Sequence, residues 1–174
     1  MGTEKVTPWD QRAARILVKP LAKTPVSPNQ LTLVTVIIAW TGAWLLSTGK
    51  HDDANLGAGL FVLARFLDHF DGELARLTGQ SSRLGYYLDY FAGALSYAAM
   101  FTGIGIGLMY SPLGHWALVL GAAGSLCAIL AMPVNLSIDN ASGTEVAVGY
   151  PQFAGFELED GIYLLAPITW LGWL

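Results

Sequence analysis

The sequence predicts an all-α protein that crosses a membrane several times and carries an N-terminal amphipathic helix at the membrane surface. Three observations predict it. Only 13% of the 174 residues are charged while 53% are hydrophobic, with a mean hydropathy of +0.48, whereas an ordinary soluble domain is about 25% charged. Apolar runs recur along the chain, near the roughly 20 residues needed to cross about 30 Å of hydrocarbon. All nine cations lie within the first 83 residues, and none follows Arg83. Too few charges remain to cover the surface of a soluble enzyme. The net charge of −4 excludes a basic nucleic-acid binder, and the single Cys127 excludes a disulfide scaffold.

Residues 1–30 form the first unit, a cytoplasmic juxtamembrane helix and linker. They lack the apolar core and small-residue cleavage site of a secretory signal. Trp9, Ala13, Ile16, Leu17 and Leu21 recur at helical spacing, with Arg12, Arg15, Lys19 and Lys23 between them. A basic amphipathic helix of this kind suits an anionic lipid surface. Two prolines, Pro25 and Pro28, break the helix ahead of the first span.

Residues 31–174 form the second unit, a transmembrane domain with five visible spans at 31–47, 54–67, 84–110, 116–134 and 153–174. The second is apolar for a short stretch only, but helix can continue through Arg76. The fifth ends inside an apolar run, Trp170-Leu171-Gly172-Trp173-Leu174, which suggests that a further segment is missing. Five cations before the first span and Arg76 and Arg83 after the second, against Lys50 alone after the first, put the N-terminus and residues 76–84 and 135–152 in the cytoplasm by the positive-inside rule.

The chemistry is concentrated at the cytoplasmic end of the second span. Asp68 and Asp71 are three residues apart and so share a helix face, which Ala75 continues one turn on. Gly85 and Asp89 are four apart at the start of the third span. Two helix ends meeting across the loop 77–83 would gather three carboxylates. Acids at membrane depth are costly and usually line functional cavities. Clustered carboxylates without His or Cys suit a hard ion, Mg²⁺ or Mn²⁺, rather than Zn²⁺. Small residues on the same faces (Gly72, Ala75, Gly85) leave room for a bulky anion, and Arg76 or Arg83 can assist. The implied chemistry is phosphoryl transfer, in which a metal neutralises a diphosphate.

The pattern Asp68-x2-Asp71-Gly72-x2-Ala75-Arg76-x8-Gly85-x3-Asp89 resembles the signature of the CDP-alcohol phosphatidyltransferases, intramembrane enzymes of phospholipid synthesis. Pro28-Asn29-x-Leu31-Thr32 resembles the start of that family's first helix. The resemblance covers residues 10 to 110. It implies a six-helix, usually homodimeric fold with its cavity open to the cytoplasm. It further implies two divalent metals on the diphosphate of a CDP-linked donor, either CDP-diacylglycerol or a CDP-amino alcohol, from which an alcohol displaces CMP. By the same resemblance Asp68, Asp71 and Asp89 are metal ligands, Gly72, Ala75 and Gly85 accommodate the nucleotide, and Arg76 contacts its phosphates.

The signature departs from the family in one place. The family's fourth Asp, a metal ligand and general base, is here Gly93. Glu157, Glu159 and Asp160, at the cytoplasmic end of the fifth span, are at the right depth for one of them to replace it. The catalytic set expected is therefore Asp89 with Glu157, Glu159 and Asp160. Arg65, a turn deeper than Asp68, reads either as a partner of a cavity acid or as part of a structural ion pair. Gly103, Gly105 and Gly107 allow close helix packing or dimerisation, and Cys127 reads as a packing residue.

Three functions compete: a transferase of this family, a family member that binds CDP-donors without efficient turnover, and a small divalent-cation transporter. Acids gathered at one depth beside small residues and a guanidinium favour the first over the third. The cation-free second half disfavours a phosphorylated acceptor, which normally wants cationic partners. The expected acceptor is a neutral or amine-bearing alcohol, or a lipid alcohol.

Overall fold

The computed structural model describes residues 8–142, 152–153 and 156–174. A short helix, α1 (Trp9–Leu17), is followed by four long ones, α2 (Pro28–Ser47), α3 (His51–Thr78), α4 (Arg83–Gly107) and α5 (His115–Ser142). A two-residue hairpin, β1 (Gln152–Phe153) with β2 (Phe156–Glu157), then leads into a 3₁₀ segment, Leu158–Leu164, and α6 (Leu165–Trp170). The chain is thus almost wholly helical, as its composition predicts.

Local chemistry sets the boundaries. Ser27 and Gln30 form a reciprocal capping box, with Pro28 in the first turn of α2, so Pro28 opens the helix it was expected to precede. Gly79 ends α3 in the left-handed conformation (φ 67°), which a residue with a Cβ adopts only at a cost. Ser82 then accepts a hydrogen bond from the Gly85 N–H and starts α4. Four residues, 79–82, therefore suffice to reverse the chain, and the C-terminal end of α3 and the start of α4 are held side by side.

α2, α3 and α4 pack on small residues. The buried face of α2 reads Thr32, Thr35, Ala39, Gly42, Ala43, Leu46, at helical spacing. Phe61 and Met100 fill the centre against Ala39, Leu46, Ala58 and Ala166. The glycines at 103 and 107 serve this contact: a Cβ on either would collide with the carbonyl oxygens of Ala43 and Leu46. Gly105 faces the other way, where a Cβ would lie 2.8 Å from the Ala117 carbonyl of α5. The glycine run is therefore used inside the chain, in a close approach of helices that small residues permit.

Among the described residues three helices, α2, α4 with its 3₁₀ extension, and α5, are long and apolar enough to cross a membrane. Large side chains such as Trp40, Trp44, Leu120 and Leu130 are exposed on them, as expected where lipid is the solvent. α3 has the length, with 28 residues, but its C-terminal half carries Arg65, Asp68, Asp71, Glu73 and Arg76.

Several expectations are corrected. The run 153–174 is not one spanning helix. It is helical only from Leu158 to Trp170, roughly 23 Å at the rises of 3₁₀ and α-helix. Polar anchors dictate this course: Glu159 bonds Arg65 and the Trp170 indole donates to the Asn55 carbonyl, laying the segment antiparallel along α3. Residues 135–142 belong to α5, which runs through Pro133, and are not loop. Residues 143–151 lie outside the described part. Cys127 is exposed on α5 rather than packed. In α1 the face against the protein is Asp10, Ala14 and, just beyond, Val18, all buried, while Ile16 and Leu17 are exposed. Of the expected apolar stripe, Ile16 and Leu17 thus face outward, whereas Trp9 stacks on Phe66 and lies against Tyr163, and Leu21 packs against the cluster of Ala14, Val18, Phe70 and Leu74.

Candidate active site

One helix end and two helix starts build the site. Asp68 and Asp71 project from one face of α3, Asp89 from the second turn of α4, and one oxygen of each lies within 4.8 Å of the others. The spacing read from the sequence therefore brings the three carboxylates together. Asp71 is buried, and its two oxygens accept from the Gly72 N–H (2.6 Å) and from the Thr32 hydroxyl of α2. Asp89 is exposed at the mouth.

The residues expected to accommodate a nucleotide lie beside this cluster. Arg76 is exposed, pairs with the buried Glu73 at 2.8 Å, and curls over Gly72, where a Cβ would sit 3.6 Å from the guanidinium. Gly85 faces the start of α2, and a Cβ there would come within 3.2 Å of both the Asn29 Oδ1 and the Ser82 Oγ. Ala75 is half-buried one turn beyond Asp71. Arg83, the first residue of α4, is exposed.

Arg65 is the centre of a second cluster. It is buried at 8% exposure. Its Nη1 donates to Asp68 Oδ2 at 2.8 Å and its Nη2 to Glu159 Oε1 at 2.5 Å. The Tyr97 hydroxyl donates to the same Glu159 oxygen, and the guanidinium lies 4.9 Å from the Tyr97 ring centre. A Cβ built on Gly93 has only Arg65 Nη1 nearby, at 4.0 Å. Of the three acids expected to replace the missing carboxylate, Glu159 thus reaches the site through Arg65. Asp160 lines a small polar cavity with Asp10, Arg65, His69 and Glu159. Glu157 belongs to β2, and its side chain is outside the described part.

α1 is tied to the same region. Asp10 bonds His69 Nε2 at 2.8 Å and accepts from the Tyr163 hydroxyl at 3.0 Å. Burial works to raise the Asp10 carboxyl, but the hydrogen bond and charge of His69, with the Gln11 N–H and Tyr163, outweigh it and hold the pKa at about 2. His69 therefore faces α1, away from the Asp68–Asp71 face.

Sequence reasoning missed Thr32, Asp10 and Tyr97 as site-supporting residues. Thr32 had a signal, since it closes the Pro28-Asn29-x-Leu31-Thr32 motif. Asp10 was hidden in a stripe read for its cations. On the far side of α4, the buried Asp139 of α5 accepts from the hydroxyls of Tyr86 and Tyr90, a link that no local motif announces.

The donor set matches a hard divalent ion: three carboxylates, no nitrogen or sulfur, and oxygens close enough to share one ligand sphere. A site with these features at the ends of long apolar helices fits a membrane enzyme that handles a phosphorylated substrate. Residues 25–159 match the family CDP-alcohol phosphatidyltransferase, and the chain belongs to that family of membrane phosphotransferases in phospholipid synthesis. The cation-transporter reading falls with this finding.

Among relatives, the chain is 27% identical over 172 residues to archaetidylinositol phosphate synthase of Pyrococcus horikoshii, covering 96% of this chain and 90% of that one. It is 31% identical over 157 residues to phosphatidylinositol phosphate synthase of Corynebacterium glutamicum, covering 87% of this chain and 65% of the relative. The fold is similar to that of Mycobacterium tuberculosis phosphatidylinositol phosphate synthase solved with CDP-DAG bound, with a TM-score of 0.64, 19% identity, and coverage of 92% of this chain and 89% of that one. A second structure of that protein, in complex with manganese and citrate, gives a TM-score of 0.55 at 21% identity, covering 90% and 83%.

Proposed function

We propose that this chain transfers a phosphatidyl group from CDP-diacylglycerol to the hydroxyl of an alcohol, releasing CMP, at a site facing the cytoplasm. The observation that carries the reading is the convergence of Asp68, Asp71 and Asp89 oxygens within 4.8 Å beside the small residues Gly72, Ala75 and Gly85. The phosphatidylinositol phosphate synthase and the CDP-DAG complex among the similar proteins support the donor. The cation distribution of the first 83 residues supports the orientation. A homodimer is the expected assembly.

In this reading Asp68, Asp71 and Asp89 hold Mg²⁺ or Mn²⁺, which supplies positive charge to the donor's diphosphate. Gly72, Ala75 and Gly85 leave the nucleotide room against the backbone, and Arg76 swings from Glu73 to its phosphates. The acceptor oxygen attacks the phosphorus that carries the diacylglycerol, the diphosphate P–O bond breaks, and CMP leaves with the bonding pair. The hydroxyl proton passes to a carboxylate of the chain. Glu159, which reaches Asp68 through Arg65, and Asp160 in the same cavity are the acids proposed for this, with the exposed Asp89.

The absence of Lys and Arg after Arg83 supports an acceptor without a phosphate group. The names of the two synthases favour the second reading, an inositol phosphate acceptor. A panel decides: CMP release by the purified chain with CDP-diacylglycerol and either free polyols, amino alcohols and lipid alcohols, or inositol phosphate. Turnover confined to the unphosphorylated set supports the first reading, and turnover confined to inositol phosphate establishes the second. A CDP-amino alcohol in place of CDP-diacylglycerol tests the donor. Retained CDP-donor binding without CMP release in every arm marks a family member that binds without turnover.

A further inference from the structure

We propose that Arg65 occupies the place of a second metal ion, so that this chain binds one divalent ion where the family resemblance implies two. The inference rests on the metal reading of Asp68, Asp71 and Asp89 given above. Two independent features of this chain carry it. Gly93 removes a carboxylate from the site, leaving three acids whose oxygens converge on one another. A Mg²⁺-type ion needs only a few carboxylates once substrate phosphates and water complete its sphere, so three suffice for one ion and are sparse for two.

The second feature is where the guanidinium lies. Its Nη1 donates to Asp68 Oδ2 at 2.8 Å and stands 4.0 Å from the Cβ position of Gly93. Ions of a two-metal site sit about 3.5–4 Å apart and share ligands. A second ion between Asp68 and residue 93 would need both the oxygen and the space that Arg65 holds. The side chain is fixed there from behind by Glu159 at 2.5 Å, which itself accepts from Tyr97. Arg does not deprotonate in proteins, so its charge is permanent. A further divalent ion at this distance would be repelled, while the guanidinium returns part of the positive charge that such an ion would bring. The Arg65 Nε is buried with no partner among the described residues, a further donor for water or a substrate oxygen.

The test counts ions rather than turnover. The purified chain in detergent, with CDP-diacylglycerol at saturation, is titrated with Mn²⁺ and the free-ion EPR signal recorded. The expected count is one Mn²⁺ per chain, lost in Asp68→Asn. The double variant Arg65→Gln with Gly93→Asp is expected to bind two, whereas Arg65→Lys, which keeps the charge, is expected to stay at one. Two ions bound to the unmodified chain would overturn the proposal while leaving the metal reading intact, and would do so whether or not the double variant folds. No Mn²⁺ bound to the unmodified chain would overturn both. A correctly folded double variant that still binds one ion would also count against Arg65 as the excluding group.

Discussion

The Thr32 hydroxyl of α2 donates to the buried Asp71 carboxylate of α3, so the first long helix orients an acid of the site carried by the second. Replacing Thr32 by Val removes the donor and keeps the shape. Supporting residues of this kind commonly contribute about 10–100-fold to metal affinity, and the unmet carboxylate costs about 1–3 kcal/mol. Mn²⁺ titration of Thr32→Val should show weaker binding in that range, with Thr32→Ser close to the unmodified chain.

Arg76 is exposed but pairs with the buried Glu73, so truncating it leaves that carboxylate without its partner at a cost of about 1–3 kcal/mol. Arg76→Gln, which keeps a donor for Glu73, should therefore lower thermal stability little while raising KM for the CDP-linked donor. Steady-state kinetics beside a melting curve separate the two effects. A large fall in melting temperature would show that the residue serves the fold instead.

Gly103 and Gly107 face backbone carbonyls of α2, and backbone cannot swing aside as a side chain can. Alanine at either position should overpack the α2–α4 contact and cost about 1–3 kcal/mol. Alanine at Gly161, where a Cβ meets nothing within 4 Å, is the matched control. Detergent melts of the three variants should rank accordingly.

Asp10 gives the α1 contact its own acid dependence. Its pKa is held at about 2, below the ordinary 3.8, so the folded state favours the carboxylate. The stabilisation is fully present above about pH 4 and is lost as pH falls through the folded value. Asp10→Asn should lower the melting temperature at pH 7 and flatten its decline below pH 4. Equal declines in both proteins would contradict the linkage.

Much of the site was legible because it rests on helical spacing. Asp68, Asp71 and Asp89 are placed by intervals of three and four, joined by a loop that Gly79 and Ser82 keep short. The helical class follows from composition and periodicity in the same way, as do the outward Ile16 and Leu17 of α1. The course of residues 153–174 was not legible. Its apolar content matches a span, but contacts of Glu159 with Arg65 and of Trp170 with Asn55, roughly a hundred residues away in sequence, decide its path. Arg65 was ambiguous for the same reason, since its second partner comes from the end of the chain. Thr32 and Asp139 act across helices, where no local period shows the partner.

The central claim is metal-dependent transfer at the three aspartates, and CMP release from CDP-diacylglycerol tests it most directly. The purified chain should release CMP in the presence of an accepting alcohol only with Mg²⁺ or Mn²⁺. Asp89→Asn, with its melting temperature retained, should lose about 100-fold or more of that rate, as expected when charge stabilisation of a phosphoryl group is removed. CMP release that persists in EDTA, or that proceeds unchanged in Asp89→Asn, would contradict the account.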